Sequence, residues 1–190
     1  MPQLVSDIDF TICAPKPGRD PYWVACLATG PHHCPVVAHD GTFIQDGDLC
    51  KPQQTDHFHL SMDCPHRDAF SPEFYAWLAS LDLENDCPFP EAIGALQEAS
   101  PSVIFLTNRN EACRPKTEAF LSKFAIPYQG LQMRKNGDYR PLWAFKQEAI
   151  WTLANQHDSL VWVDDQKPPF DLPANTTWVL PTFYKNPILV

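Results

Sequence analysis

At 190 residues the chain has room for one domain with an insertion and a substantial core. Hydrophobic residues at 44% and charged ones at 19% are an ordinary composition for a folded, water-borne protein. A net charge of −9 argues against long polyanions such as duplex DNA, whose binding leans on basic surfaces. It still allows a local basic pocket for a small phosphate ester.

The opening MPQLVSDIDF carries no basic region and no apolar stretch long enough for a signal peptide or a membrane span. A cytoplasmic protein with no membrane partner is therefore expected. The seven Cys are odd in number and contain no CxxC pair, which in such a chain predicts reduced thiols.

A first strand is predicted over Leu4–Ile8, an apolar run that ends in Asp7-Ile8-Asp9-Phe10-Thr11. From Cys13 to about Phe70 the pattern becomes Pro-rich and irregular. Within it, residues 36–44 read as a hairpin closed by Asp40-Gly41, a two-residue turn that favours positive φ. Ser71-Pro72-Glu73 then opens a helix, with Phe74, Trp77, Leu78 and Leu81 at helical spacing. A second helix starts at Pro90-Glu91, a third runs from Pro115 to Phe124, and a fourth from about Leu142 to Asn155. Between them lie apolar runs at Val103–Leu106, Leu131–Met133, Leu160–Val163 and Thr177–Leu180. Strands alternating with helices predict an α/β fold: a three-layer, Rossmann-like arrangement around a mostly parallel five-strand sheet. Residues 1–12 and 71–190 would form this core, and residues 13–70 a loop-rich, partly β insertion after strand one.

Three of these strands deliver polar groups at their C-terminal ends, where open α/β sheets bind ligands. Strand alternation puts Asp7 and Asp9 on one side, where two carboxylates repel unless a cation or proton lies between them. Two strand-end acids in solvent would be the plain alternative. Yet Val103–Leu106 leads into Thr107-Asn108-Arg109, and Leu160–Val163 into Asp164-Asp165. Lys146 adds a fourth element. On a helical wheel it falls inside the apolar arc of Leu142, Phe145, Ala149, Ile150 and Leu153, so it needs a partner unless it snorkels to the helix end. Arg109 is placed to clamp a phosphate or a neighbouring carboxylate, and is read as a substrate contact against the simpler reading of a surface arginine.

The hhhDxDxT strand, the hhhhT strand end, the inward lysine and the hhhhDD strand, in this order, resemble the haloacid dehalogenase-like phosphatases. The likeness covers residues 3–11 and about 88–181. Within that superfamily Phe74–Trp77, Pro88–Glu91 and Val103–Arg109 are similar to the class B and class C acid phosphatases, and Thr107-Asn108-Arg109 to polynucleotide 3′-phosphatase domains. The resemblance implies a Mg²⁺-dependent phosphomonoesterase. Asp7 would be the nucleophile and a metal ligand; Asp9 would be the general acid and base and lend its backbone carbonyl to the metal. Thr107 and the backbone N–H of Asn108 would bind the phosphoryl group, Lys146 would neutralise charge, and Asp164 and Asp165 would hold Mg²⁺. A carboxylate is a competent phosphoryl acceptor, and Mg²⁺ needs few carboxylates.

The chain departs from the family in having the bulky Phe10 within the first motif, and residues 12–70 match no known insertion. Substrate choice therefore stays open among a nucleotide, a small phosphorylated metabolite, a nucleic-acid end and a phosphorylated protein, with the acidic charge disfavouring nucleic acid. A phosphotransferase using the same intermediate, or a binding module on the same scaffold, are the rival readings. His32, His33, Cys34, His57, His59, Cys64 and His66 all lie in the insertion, but their spacings fit no standard finger, so structural Zn²⁺ is the lesser reading there.

Overall fold

The computed structural model describes residues 2–9, 11–14, 36–38, 43–44, 57–59, 72–99, 103–140 and 142–181. The chain divides into two compact units, Met1–Ala14 with Asp82–Val190, and Pro15–Leu81.

The first unit is built on a five-stranded sheet. Its strands are β1 (Gln3–Ser6), β7 (Val103–Asn110), β8 (Gly130–Arg134), β9 (Leu160–Val163) and β10 (Thr176–Val179), numbered in chain order with the short strands described below. They lie side by side as β10-β9-β1-β7-β8, and every pairing is parallel. The expected mostly parallel sheet is thus wholly parallel. The chain winds outward from β1 in one direction through β7 and β8, then returns to β1's other side through β9 and β10. The point of reversal lies between β1 and β9, where ligands bind in sheets of this kind.

Alternation along β7 builds two cores. Val103 and Phe105 face one side, with Ile93 and Leu96 of helix α2 (Pro90–Ala99) and Phe120 and Leu121 of α3 (Arg114–Lys123). Ile104 and Leu106 face the other, with Ile150 and Leu153 of α4 (Leu142–Ala154). The result is three layers, and the buried branched and aromatic side chains explain why these strands read as continuous apolar runs. The helices form where capping residues and apolar spacing place them, within a residue or two at each end.

Two strand ends differ from expectation. β1 stops at Ser6 rather than Ile8, because the chain turns at once: the Ile8 carbonyl accepts from the amides of Thr11 (3.3 Å), Ile12 (2.9 Å) and Cys13 (3.3 Å). β7 continues past Leu106 to Asn110, with a break in its pairing. Thr107 pairs with Met133 and Asn110 with Arg134, so Asn108 and Arg109 are two extra residues bulging from the ladder. Short β2 (Cys13–Ala14) and β6 (Cys87–Pro88) pair antiparallel beside the main sheet.

In the second unit β3 (Val36–Ala38) pairs antiparallel with β4 (Phe43–Ile44) and with β5 (His57–His59), and helix α1 spans Pro72–Ser80. The hairpin over 36–44 therefore forms. Its register opposes Val37 to Phe43, leaving an odd number of intervening residues where a two-residue Asp40-Gly41 turn needs an even one; the turn itself lies outside the described residues. So does most of the zinc expectation: His32, His33, Cys34, Cys64 and His66 are outside them, and His57 and His59 are described in backbone only. Among the described residues Cys13, Cys87 and Cys113 are free thiols, and no helix is long and apolar enough to cross a membrane.

Candidate active site

The residues singled out at the strand ends meet at the carboxyl edge of the first unit's sheet, in two groups. The first gathers on Lys146. Its ammonium is nearly inaccessible and donates to Asp7 Oδ2 at 2.8 Å and Asp164 Oδ2 at 2.6 Å. The buried lysine thus has its carboxylate partners, one from each side of the reversal point. It also lies 5.6 Å from the centroid of the Trp143 ring, itself packed edge-on to Trp162 and Phe170, so the ammonium borders an aromatic cluster. Asp7 is anchored by its amide to the Val163 carbonyl (2.9 Å). Asp164 is anchored through its Oδ1, which accepts from the amide of Gln166 (3.0 Å), and its carbonyl, which accepts from Trp178 Nε1 (3.2 Å). Asp165 is tied back to the first motif: its amide donates to Thr11 Oγ1 at 3.2 Å.

Electrostatics in this group are strained toward excess acid. Burial pushes the Asp7 carboxyl well above the ordinary range, Lys146 pulls it down, and Asp164, Asp165 and Asp9 push it up again. Burial, then the neighbouring Asp164, lifts the Asp165 carboxyl to about 7. Burial alone would lower the Lys146 ammonium, but Asp7 and Asp164 raise it above its usual value, so it stays charged. One cation faces three carboxylates whose oxygens lie within 4.8 Å of one another. Hard oxygen donors at that spacing suit a divalent cation, and the surplus negative charge gives it a reason to bind.

The second group gathers on Arg109, which is 2% exposed. Its guanidinium grips Asp9, with Nε at 3.1 Å from both carboxylate oxygens and Nη2 at 2.5 Å from Oδ1. Nη2 also donates to Asp86 Oδ2 (2.9 Å) and Nη1 to Thr117 Oγ1 (3.4 Å). Burial works against this guanidinium, yet the carboxylate of Asp9, helped by Asp86, holds it firmly protonated. Thr107 is wholly buried; its hydroxyl donates to Asp9 Oδ2 (3.4 Å) and accepts from the Arg109 amide (3.2 Å).

Set against the sequence, Asp7, Lys146, Asp164 and Asp165 come together as one cluster. Asp7 and Asp9 take different cations, Lys146 and Arg109, while Asp9 still lies near enough to help push the Asp7 carboxyl up. Arg109, expected to contact substrate, instead takes the Asp9 carboxylate, because its buried fork finds that acid beside it. Asn108, expected to meet the phosphoryl group through its backbone N–H, has its side-chain oxygen engaged by Arg134. Asp86 and Arg134 were not anticipated. Asp86 follows a single 3₁₀ turn and offers no periodicity; Arg134 closes a strand, where an arginine ordinarily reaches solvent.

The sequence matches no known protein family, and no curated protein matches it. Among the solved structures that share its fold are two Pnkp1/Rnl/Hen1 chains. A chain of the Pnkp1/Rnl/Hen1 complex is 20% identical, with a TM-score of 0.51 over 94% of this chain and 45% of that one. A chain of the Pnkp1/Rnl/Hen1 RNA repair complex is 21% identical, with a TM-score of 0.50 over 94% and 42%. At these identities the likeness shows the fold, and this chain spans less than half the length of the chains it matches.

Proposed function

We propose that the chain is a Mg²⁺-dependent phosphomonoesterase of haloacid dehalogenase-like design, with Asp7 as nucleophile. The observation that carries this reading is the buried Lys146 bridging Asp7 and Asp164 at the reversal point of a parallel sheet. A carboxylate kept beside a fixed ammonium is ready to attack a phosphoryl group, whose three oxygens need cationic neighbours.

In this reading Asp7 attacks phosphorus, the ester oxygen leaves with a proton from Asp9, and Asp9 then takes a proton from the water that cleaves the aspartyl-phosphate. Lys146 stabilises negative charge on the transferring group and on Asp7. Thr107 and the backbone of Asn108 flank the phosphoryl site. Arg109 acts on Asp9 rather than on substrate, fixing the carboxylate's direction, with Asp86 and Thr117 fixing Arg109 in turn. Asp7, Asp164 and Asp165, with the Asp9 carbonyl, would hold Mg²⁺, which would offset phosphoryl charge. The separate compact unit at Pro15–Leu81 supports treating the segment after β1 as the insertion that selects substrate.

Among phosphomonoesters a nucleic-acid end is the first to test, because the matched structures belong to an RNA repair complex. The charge of −9 favours an end or a short single strand over a long duplex. The test is hydrolysis of p-nitrophenyl phosphate and of a 3′- or 5′-phosphorylated oligonucleotide, with Mg²⁺, with EDTA, and with Asp7→Asn. We expect turnover that needs Mg²⁺ and falls on the order of a thousandfold or more in Asp7→Asn. A folded Asp7→Asn protein with normal turnover would sink the mechanism.

A further inference from the structure

Resting on that reading, we propose that Arg134 is a positioning residue of the site: its buried guanidinium latches Asn108 and so fixes the two-residue bulge that aims Arg109 at Asp9. Three observations meet here. First, β7 and β8 are paired on both sides of the bulge, at Thr107 with Met133 and at Asn110 with Arg134, so Arg134 is the residue opposite the bulge's far end. Bulges re-aim side chains, and this one carries both Asn108 and Arg109. Second, Arg134 is 0% exposed, and its Nε (3.1 Å) and Nη2 (3.0 Å) both donate to Asn108 Oδ1. Third, its Nη1 donates to the carbonyls of Arg140 (2.7 Å) and Asp138 (3.3 Å), while its planar head lies 5.2 Å from the centroid of Phe145.

These contacts tie three parts of the site together. Asn108 precedes Arg109 directly, so holding its side chain limits how the bulge can rotate and where Arg109 points. Phe145 precedes Lys146 on α4, and Arg140 reaches Glu148 on the same helix (2.5 Å), which links the latch to the helix that carries Lys146. The 138–140 segment is brought back to Arg134 by a turn: the Asp138 amide donates to the Lys135 carbonyl (3.0 Å), and Gly137 takes the positive φ of 86° that such a turn requires. A guanidinium suits this role because its donors are fixed in one plane. A lysine keeps the charge, but its three donors fan from a single atom and do not reproduce the planar spread that puts Nε and Nη2 on Asn108 and Nη1 on the Arg140 carbonyl.

The test compares Arg134→Lys, Asn108→Ala and the double variant with the wild type, by p-nitrophenyl phosphate kinetics in Mg²⁺, thermal melting, and amide hydrogen exchange over residues 107–110. We expect Arg134→Lys to lower kcat on the order of tenfold or more with KM little changed, since a small misplacement near the chemistry is costly. Asn108→Ala should do the same, the double variant should be no worse than the worse single one, and exchange over 107–110 should quicken in each. Unchanged kcat with a lowered melting temperature would make Arg134 a fold residue only and overturn the inference. Additive losses would overturn the route through Asn108. Should Arg134→Lys fail to fold, Asn108→Ala alone decides by the same kcat and exchange criteria. A wild type that turns nothing over defeats the phosphomonoesterase reading itself, and this inference with it; turnover by the wild type with an indifferent Arg134→Lys defeats the inference alone.

Discussion

The two charged groups at the carboxyl edge are built alike and balanced differently. Each centres on one buried cation that bridges carboxylates from distant parts of the chain: Lys146 between Asp7 and Asp164, Arg109 between Asp9 and Asp86. Around Lys146 a third carboxylate, Asp165, joins, and two of the acids are pushed up in pKa. Around Arg109 the guanidinium makes a fork to Asp9 and reaches Asp86 and Thr117 besides. A point charge with surplus acid leaves room for a divalent cation and a phosphoryl group. A planar fork with its donors committed fixes a direction. Under the proposed phosphomonoesterase reading, the first group is where bonds would change and the second is where a proton-handling carboxylate would be held still.

Altering each cation should therefore produce different damage. Lys146→Ala is expected to lower kcat/KM by about a thousandfold, because the charge on the transferring group loses its fixed partner. Stability should fall less, by about 1–2 kcal/mol, since an acid already pushed up in pKa can take up a proton. Kinetics beside a denaturant titration would check this, and a helix that unfolds with no kinetic defect would mark a structural lysine. Arg109→Lys should be milder in rate and harsher in aim. We expect kcat down on the order of tenfold to a hundredfold, with the acid or base limb of the pH–rate profile displaced, because the charge survives and the fork does not. An unmoved profile would separate Arg109 from Asp9's task.

The smallest effect concerns pH. Asp165, held at about 7 by burial and then by Asp164, prefers its proton more than an ordinary carboxyl at 3.8 does. Without a divalent cation, its contribution to stability is full below that ordinary value and is lost as pH rises through about 7. A cation must displace the proton, so Mg²⁺ affinity should climb with pH toward about 7, by up to roughly tenfold per pH unit, and level off above it. Calorimetric titration across that range checks the slope, and a flat affinity would remove Asp165 from the ligand set.

Much of this was legible in the sequence because strand ends are marked twice, by the close of an apolar run and by the polar residues after it. Asp7, Thr107 and Asp164 each follow such a run. Lys146 was legible for a different reason: a helix has one buried arc, and a charge inside it must be answered. In the second group Asp9, Thr107 and Arg109 were legible as strand-end residues, but the gathering around Arg109 and the part of Asp86 were not. Asp86 comes from a short turn in the polar stretch Asp82–Asp86, where no period distinguishes a buried acid from an exposed one. The bulge at Asn108 and Arg109 depends on pairing with β8, a tertiary fact, and so does the fate of Arg134 at the end of that strand. The Ile8 turn, after which the chain leaves the sheet, is likewise set by three amides converging on one carbonyl rather than by any residue type.

The most direct test is to trap the nucleophile. Beryllium fluoride, which mimics an aspartyl-phosphate, should form a Mg²⁺-dependent adduct seen by ¹⁹F NMR in the wild type and in Asp9→Asn, and none in Asp7→Asn. An adduct that survives Asp7→Asn, or no adduct in a wild type that turns over substrate, would contradict Asp7 as the residue that takes the phosphoryl group.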